Sequence, residues 1–214
     1  MKMNESRGRG RPREFEAATA LDAALEIFRT KGYSGTSLED LTETTGINRP
    51  SLYGAFGNKR ALFEACVDHY WSRAGRDYQA ALSATGRLGD DLRGFFRVFL
   101  DVICGAEVGG CIVACALPAD VSTAPSLLAR FAGIVRQSDR AVAARLTQAA
   151  ESGDLPGDSD PVQLAEVIVS VMLALSLRAR AGTARKRLEA LADQTVALIV
   201  KPEGRNRSRK PAKA

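Results

Sequence analysis

Long apolar runs are missing from these 214 residues: the longest nearly unbroken one, Val167 to Leu177, has 11 residues. A membrane-spanning helix needs roughly 20, so no membrane partner is expected. The N-terminal segment is basic but is followed by no apolar stretch, so no signal peptide is expected either. Only four cysteines occur, at irregular spacing, which predicts free thiols in a reducing cytoplasm. The single histidine, His69, excludes a histidine-based metal cluster and leaves a catalytic triad with one candidate base. No phosphate-binding Walker loop, dinucleotide fingerprint or paired-cysteine zinc spacing is present, so neither cofactor nor metal is expected. Gly32-Tyr33-Ser34-Gly35 falls short of a nucleophile elbow, because Thr36 stands where the second glycine belongs. Alternating Val/Ile/Thr runs bounded by Asn-Gly turns are also lacking, which argues against sheets.

What remains is a chain of ordinary globular composition, 45% apolar and 26% charged. Its net charge of +5 is unevenly spread. Residues 1–13 carry a net +4 and residues 201–214 a net +5, so the body between them is mildly acidic at −4. Basic tails of this kind touch polyanions or simply solubilise.

Helical periodicity runs from end to end. Ala17, Leu21, Ala24, Leu25 and Phe28 make one apolar face of a first helix, Glu14 to Lys31, with Gly32 as its stop. Thr36-Ser37-Leu38-Glu39 matches a capping box with Thr36 as the cap, and a second helix follows from Ser37 to Thr45. Gly46 ends it, Ile47 fills the turn, and Asn48 caps a third helix with Pro50 in its first turn. Gly57-Asn58 breaks this helix before a long fourth opens at Lys59 and runs through Tyr70. A fifth helix carries Leu88, Leu92, Phe95, Phe96, Phe99 and Ile103. A short sixth runs from Cys111 to Leu117, and a seventh, capped by Thr123, reaches Ser152. Asp160-Pro161 opens an eighth to Ala181, and Thr183 caps a ninth from Ala184 to Val200. The expected fold class is all-α. Its N-terminal part is a three-helix helix-turn-helix unit and its C-terminal part a helical bundle.

Two short helices joined by Gly46-Ile47-Asn48 form a helix-turn-helix, in which glycine lets the turn adopt a positive φ. The stretch from Thr36 to Phe63 resembles the DNA-binding domain of TetR-family regulators. The matching marks are Leu41, Gly46, Ile47, Leu52-Tyr53, Phe56, Lys59 and Leu62-Phe63. Thr42 replaces the alanine usual in the family, and Asn48 replaces a commoner serine. The Gly153-to-Ala165 turn and the Ser176-to-Gly182 segment also resemble the family's regulatory half. The resemblance implies a basic arm at 1–12, a DNA-binding domain at 13–60 with its motif at 37–56, a regulatory and dimerisation domain at 61–200, and a basic tail at 201–214.

A third helix in a major groove presents its N-terminal side chains to base edges. Arg49 matches either guanine O6 and N7 or a phosphate. Pro50 offers an apolar contact to a thymine methyl, and Ser51 bonds a base or a phosphate. Tyr53 resembles the family's phosphate-binding tyrosine, with packing inside the domain as the alternative. Thr36 and Ser37, at a helix N-terminus, offer hydroxyl or amide contacts to phosphate, and Lys59 resembles the family's phosphate lysine. Arg9 and Arg13 flank Gly10-Arg11-Pro12, which resembles the core of an AT-hook, and these arginines suit a narrow minor groove.

The family resemblance further implies a homodimer through the last two helices, a palindromic operator in double-stranded DNA, and a small-molecule effector. Tyr70, Trp71, Phe95, Phe99, Phe131 and Met172 are the candidate cavity walls. Cys111 and Cys115 lie four apart, and Gly-Cys-Ile resembles a motif of a subgroup that includes oxidant and electrophile sensors. A helix N-terminus would favour a thiolate at Cys111, whereas free cysteines commonly serve as small buried hydrophobes. The function expected is a homodimeric repressor released by an apolar or amphipathic effector. The alternatives are an activator, a sensor acting through Cys111, or an enzyme or carrier built on the same cavity.

Overall fold

The computed structural model describes residues 11–83, 85–105, 108–118 and 125–200, with side chains from residue 17 onward. Among these residues the chain is all helix: α1 (Arg11–Gly35), α2 (Leu38–Thr45), α3 (Arg49–Phe56), α4 (Lys59–Leu82), α5 (Leu88–Cys104), α6 (Ile112–Cys115), α7 (Pro125–Glu151), α8 (Pro161–Arg180) and α9 (Arg185–Ile199).

The first three helices fold over the start of α4. Ala24, Leu25 and Phe28 of α1, Leu41 of α2, Leu52 of α3 and Leu62 and Phe63 of α4 are all buried. Phe28 meets Phe63 edge-on at 4.9 Å between ring centres, and Tyr33 approaches the same ring at 5.3 Å. Burying each such ring stabilises the unit by about 1.5–3 kcal/mol, so one small core fixes all four segments. The expected end of α1 is met as a kink at Gly32, after which helical turns resume to Gly35.

Helix α4 runs from this core into the body, packing on α1, α5 and α7. Helices α7 and α8 pack along each other, and α9 packs against α5 and α8. Asp160 caps α8 as the sequence implies, accepting from the Val162 and Gln163 amides at 2.8 and 3.3 Å. Thr183 does not cap α9: Ala184 holds that position without a side-chain bond, while the Thr183 amide donates to the Arg178 carbonyl. Thr123, expected to cap α7, lies outside the described residues.

By length and composition α8 is apolar enough to cross a membrane, with a mean hydropathy of 1.7. The sequence reading judged only unbroken runs and so missed it. Its polar residues break the run without lowering the average enough. Ala165, Ile168, Val169, Met172 and Leu175 of this helix pack into the bundle core.

One ion pair lies deep in the body. Asp91 on α5 is fully buried and accepts from Arg145 on α7 through both Nε (3.0 Å) and Nη2 (2.9 Å). The Thr85 amide and hydroxyl donate to its other oxygen at 2.8 and 2.6 Å, and Arg145 also reaches the Gly86 carbonyl. Burial alone would raise the Asp91 pKa, but the bonds from Thr85 and Arg145 outweigh it and hold the carboxyl below its ordinary value.

Candidate functional site

The head is built by two side-chain caps and one glycine. Ser37, not Thr36, caps α2: its hydroxyl accepts from the Asp40 amide at 3.0 Å, and the Asp40 carboxylate accepts from the Ser37 amide at 2.8 Å. The capping box is therefore shifted by one residue from Thr36/Glu39, and an aspartate serves in the position where glutamate is usual. Lys31 donates to the same carboxylate at 2.6 Å, and these bonds hold the Asp40 pKa at about 2. Gly46 ends α2 at φ 68, a left-handed conformation that a side chain would strain. Asn48 then caps α3 by accepting from the Ser51 amide at 3.0 Å.

With Leu52 turned inward, α3 presents Arg49, Pro50, Ser51 and Gly54 to solvent. The Arg49 guanidinium lies 5.5 Å over the half-buried Tyr53 ring, a cation–π contact that keeps it on the outer face. Space around Gly54 is open, so the backbone itself can approach a partner closely. Lys59 is half-buried; its ammonium sits 4.6 Å from the Tyr33 ring centre and donates to the Thr36 carbonyl at 2.7 Å. Thr36 is 1% exposed and its hydroxyl donates to the Gly32 carbonyl at 2.6 Å. Its side chain therefore faces the domain, and Ser37 is the hydroxyl left at the surface. Arg60 is exposed beside Lys59, and the sequence reading overlooked it because no family mark falls on it. Arg9 lies outside the described residues. Arg11, expected in the arm, and Arg13, just past it, fall in the first turn of α1, and their side chains lie outside the description.

Head and body meet where α1 crosses α6. Arg29 of α1, only 6% exposed, donates to the Gly110 carbonyl at 2.8 Å, and Arg180 at the end of α8 donates to the Arg29 carbonyl at 2.7 Å. Arg29 Nε and Arg180 Nε and Nη2 are buried without acceptors, so this joint hangs on two backbone carbonyls. A side chain at Gly110 would come within 2.7 Å of Cys115 Sγ and 2.9 Å of the Ser176 carbonyl, which explains the glycine. His69 pairs with Asp22 of α1 at 2.9 Å, and Arg73 joins the same carboxylate at 3.2 Å. These contacts tie α1 to α4 as well.

Behind Gly110 lies a cavity in the body. Two adjoining hollows, each of about 400 Å3 counting space open to solvent, share Trp71, Tyr78, Ser138 and Met172. Of the expected walls, Trp71, Phe95, Phe99 and Met172 line them. Tyr70 does not: it is buried with its hydroxyl donating to Cys111 Sγ at 3.1 Å. Phe131 is half-buried against the core rather than lining either hollow. Tyr78, which does line both, was missed; it stands eight and seven residues after Tyr70 and Trp71, hence on the same face of α4.

Cys111 lines one hollow but is buried. It precedes rather than opens α6, which has only four residues instead of the expected run from Cys111 to Leu117, and its amide donates to Ser176 Oγ at 3.2 Å. Burial pushes the thiol pKa up, outweighing the Tyr70 hydroxyl bond and the amides that favour thiolate. Cys111→Ser is therefore expected to leave operator release by mild peroxide or quinone unchanged. Oxidant release in the parent protein that vanishes in the variant would make Cys111 a sensor.

A solvent-facing helix carried by a helix-turn-helix and mounted on a helical body defines a class of DNA-binding regulators. Residues 20–66 match the model of bacterial regulatory proteins of the tetR family, and residues 82–195 match that of the tetracyclin repressor-like C-terminal domain. The chain belongs to the TetR family and is a DNA-binding transcriptional regulator, not an enzyme. It is 31% identical to the HTH-type transcriptional repressor ComR of Escherichia coli (strain K12), over 90% of this chain and 92% of that protein. The HTH-type transcriptional repressor BdcR of the same strain is 44% identical over 66 residues, 31% of this chain and 34% of BdcR. Among solved structures, a cysteine mutant of the TetR family transcriptional regulator CifR, complexed with 26-bp operator DNA, superposes with a TM-score of 0.73 at 29% identity. That match covers 90% of this chain and 98% of CifR.

Proposed function

We propose that the protein is a homodimeric repressor that holds a near-palindromic operator and lets go when a small molecule fills the body cavity. The observation that carries this reading is the exposed N-terminal face of α3, where Arg49, Pro50, Ser51 and Gly54 stand clear of a buried helix-turn-helix core. Ser37, Tyr53, Lys59 and the exposed Arg60 flank that face, as phosphate contacts flank a reader in a groove. Their basic side chains give sequence-independent attraction, and Arg49 supplies the discrimination. Arg9, ahead of α1, together with Arg11 and Arg13 in its first turn, extends the contact towards the adjacent minor groove. Cys111 lines the cavity, and the carbonyl of its neighbour Gly110 accepts from Arg29 of α1, so filling the cavity shifts the balance between two head positions. Release requires a ligand that binds the two positions with different affinity.

Selection of bound sites from random duplex DNA tests this. The expected product is a two-fold sequence with half-site centres about 34–36 Å apart or a multiple of that. Arg49→Ala should then cost about 1–3 kcal/mol and relax preference at one base pair of each half-site. Lys59→Ala should weaken all sequences alike and flatten the salt dependence. An unchanged preference profile with uniformly weaker binding would make Arg49 a phosphate anchor, and selection of asymmetric sites would reject the dimeric reading.

A further inference from the structure

The cavity lining carries no charged side chain among the described residues. Trp71, Phe95, Phe99, Met172 and Val169 give it apolar walls. Nearly every polar group on it already has a partner. Trp71 Nε1 donates to Gln137 Oε1 at 2.9 Å, the Ser138 hydroxyl donates to the Ile134 carbonyl, and Ser176 Oγ accepts from the Cys111 amide. Tyr78 is the exception. It is 5% exposed and lines both hollows, and its hydroxyl lies beside the Tyr70 hydroxyl without forming a well-aligned bond to it, since the Tyr70 proton goes to Cys111 Sγ. Its ring is clamped edge-on by Trp71, Phe95 and Phe99 at 6.2, 5.8 and 5.9 Å, so the hydroxyl is held in place. A buried hydroxyl left unpaired is costly, and an acceptor brought by a ligand removes that cost.

We propose that this cavity takes an uncharged, largely aromatic or apolar molecule bearing an acceptor oxygen, and that the Tyr78 hydroxyl donates to that oxygen. This rests on the reading of the cavity as the effector site. Burial keeps the Tyr78 phenol protonated, so it offers a proton at every pH where the protein is folded. Anionic ligands are disfavoured because no cation lines the walls, and cationic ones because no carboxylate does. Pure hydrocarbons fit the walls but leave the hydroxyl unpaired.

The test uses three probes of one shape: 2-acetylnaphthalene, 2-isopropenylnaphthalene and 2-naphthoate. Trp71 is the only tryptophan in the chain and lines both hollows, so its fluorescence reports occupancy directly. The ketone should bind about three- to tenfold tighter than the hydrocarbon, the range of one net hydrogen bond, and the naphthoate at least about tenfold more weakly than the ketone. Tyr78→Phe should erase the preference for the ketone while leaving the hydrocarbon affinity unchanged. Tyr70→Phe, which removes the hydroxyl bonded to Cys111, should keep the preference. Equal binding of ketone and hydrocarbon, a preference that survives Tyr78→Phe, tighter naphthoate, or no quenching by any probe would each overturn the proposal. Operator release is measured on the same samples. A ketone that binds through Tyr78 without releasing operator DNA leaves this ligand class standing and refutes the cavity as the effector site.

Discussion

Asp91→Ala is expected to lower the unfolding free energy by about 3–5 kcal/mol, among the largest losses any single substitution in this chain would give. The carboxylate is 0% exposed and joins three elements: the Thr85 turn, α5 and α7. Its removal leaves the Arg145 guanidinium, 7% exposed, with only the Gly86 carbonyl for company. An isolated buried charge, rather than the lost attraction, makes the substitution severe. The double variant Asp91→Leu/Arg145→Met removes both charges and should recover most of the loss, because Thr85 is exposed and water can take over its donors. Urea unfolding of the three proteins checks this; a double variant as unstable as Asp91→Ala would show that packing, not charge, is responsible. The pH dependence follows from the depressed pKa. The stabilisation by ionised Asp91 is full above the unfolded aspartate value of about 3.9 and is lost as pH falls through the lower folded value. The parent protein should therefore lose stability on acidification below pH about 4 more steeply than the double variant.

Asp91 also marks where sequence reading stops. It sits on the apolar face of α5 with Leu88, Leu92, Phe95 and Phe99, and a charge at such a position announces a buried partner. Nothing local says that the partner is Arg145, because the pairing follows from how α5 lies against α7. The head was legible for the opposite reason. Its caps, glycine turn and inward leucines act within a few residues of one another, and among the caps the shift of the capping box from Thr36 to Ser37 escaped. Thr36 was lost to the surface because the kink at Gly32 turns its hydroxyl back onto the Gly32 carbonyl. In the body, periodicity marked the helices, and of the six residues the resemblance offered as walls, four line the hollows. The other two are Tyr70 and Phe131, and Tyr78 went unnamed although it shares a face of α4 with Tyr70, because the two differ in what α5 and α6 place opposite them. The Arg29–Gly110 and Arg180–Arg29 bonds span 81 and 151 residues of sequence and leave no local trace.

Charging the outer faces of α8 and α9 is expected to have the largest effect on DNA binding. On α8, Gln163, Val167, Ser170, Ala174 and Leu177 are exposed at alternating steps of four and three, the spacing of a seam between helices. Val167 and Leu177 are 51% and 55% exposed, and Leu198 on α9 is 78% exposed. Ala190, Gln194 and Ala197 lie on the open side of α9. Small residues at Ser170, Ala174, Ala190 and Ala197 let helices approach closely, while the large side chains supply apolar area. Such a face, alone in water, is what a second copy would cover. The triple variant Val167→Glu/Leu177→Glu/Leu198→Glu should keep its helical content, because none of these side chains supports the monomer core. It should sediment as a monomer at micromolar concentration, with a melting temperature independent of concentration. Each monomer then holds one half-site, and loss of the linked second contact should weaken operator binding about 10²–10⁴-fold. The Arg49→Ala effect on base preference should persist in the monomer, since α3 and its caps lie wholly within the head. A triple variant that remains dimeric would move the interface elsewhere on the body. A monomer that binds the operator as tightly as the parent protein would show that two-fold pairing plays no part in recognition.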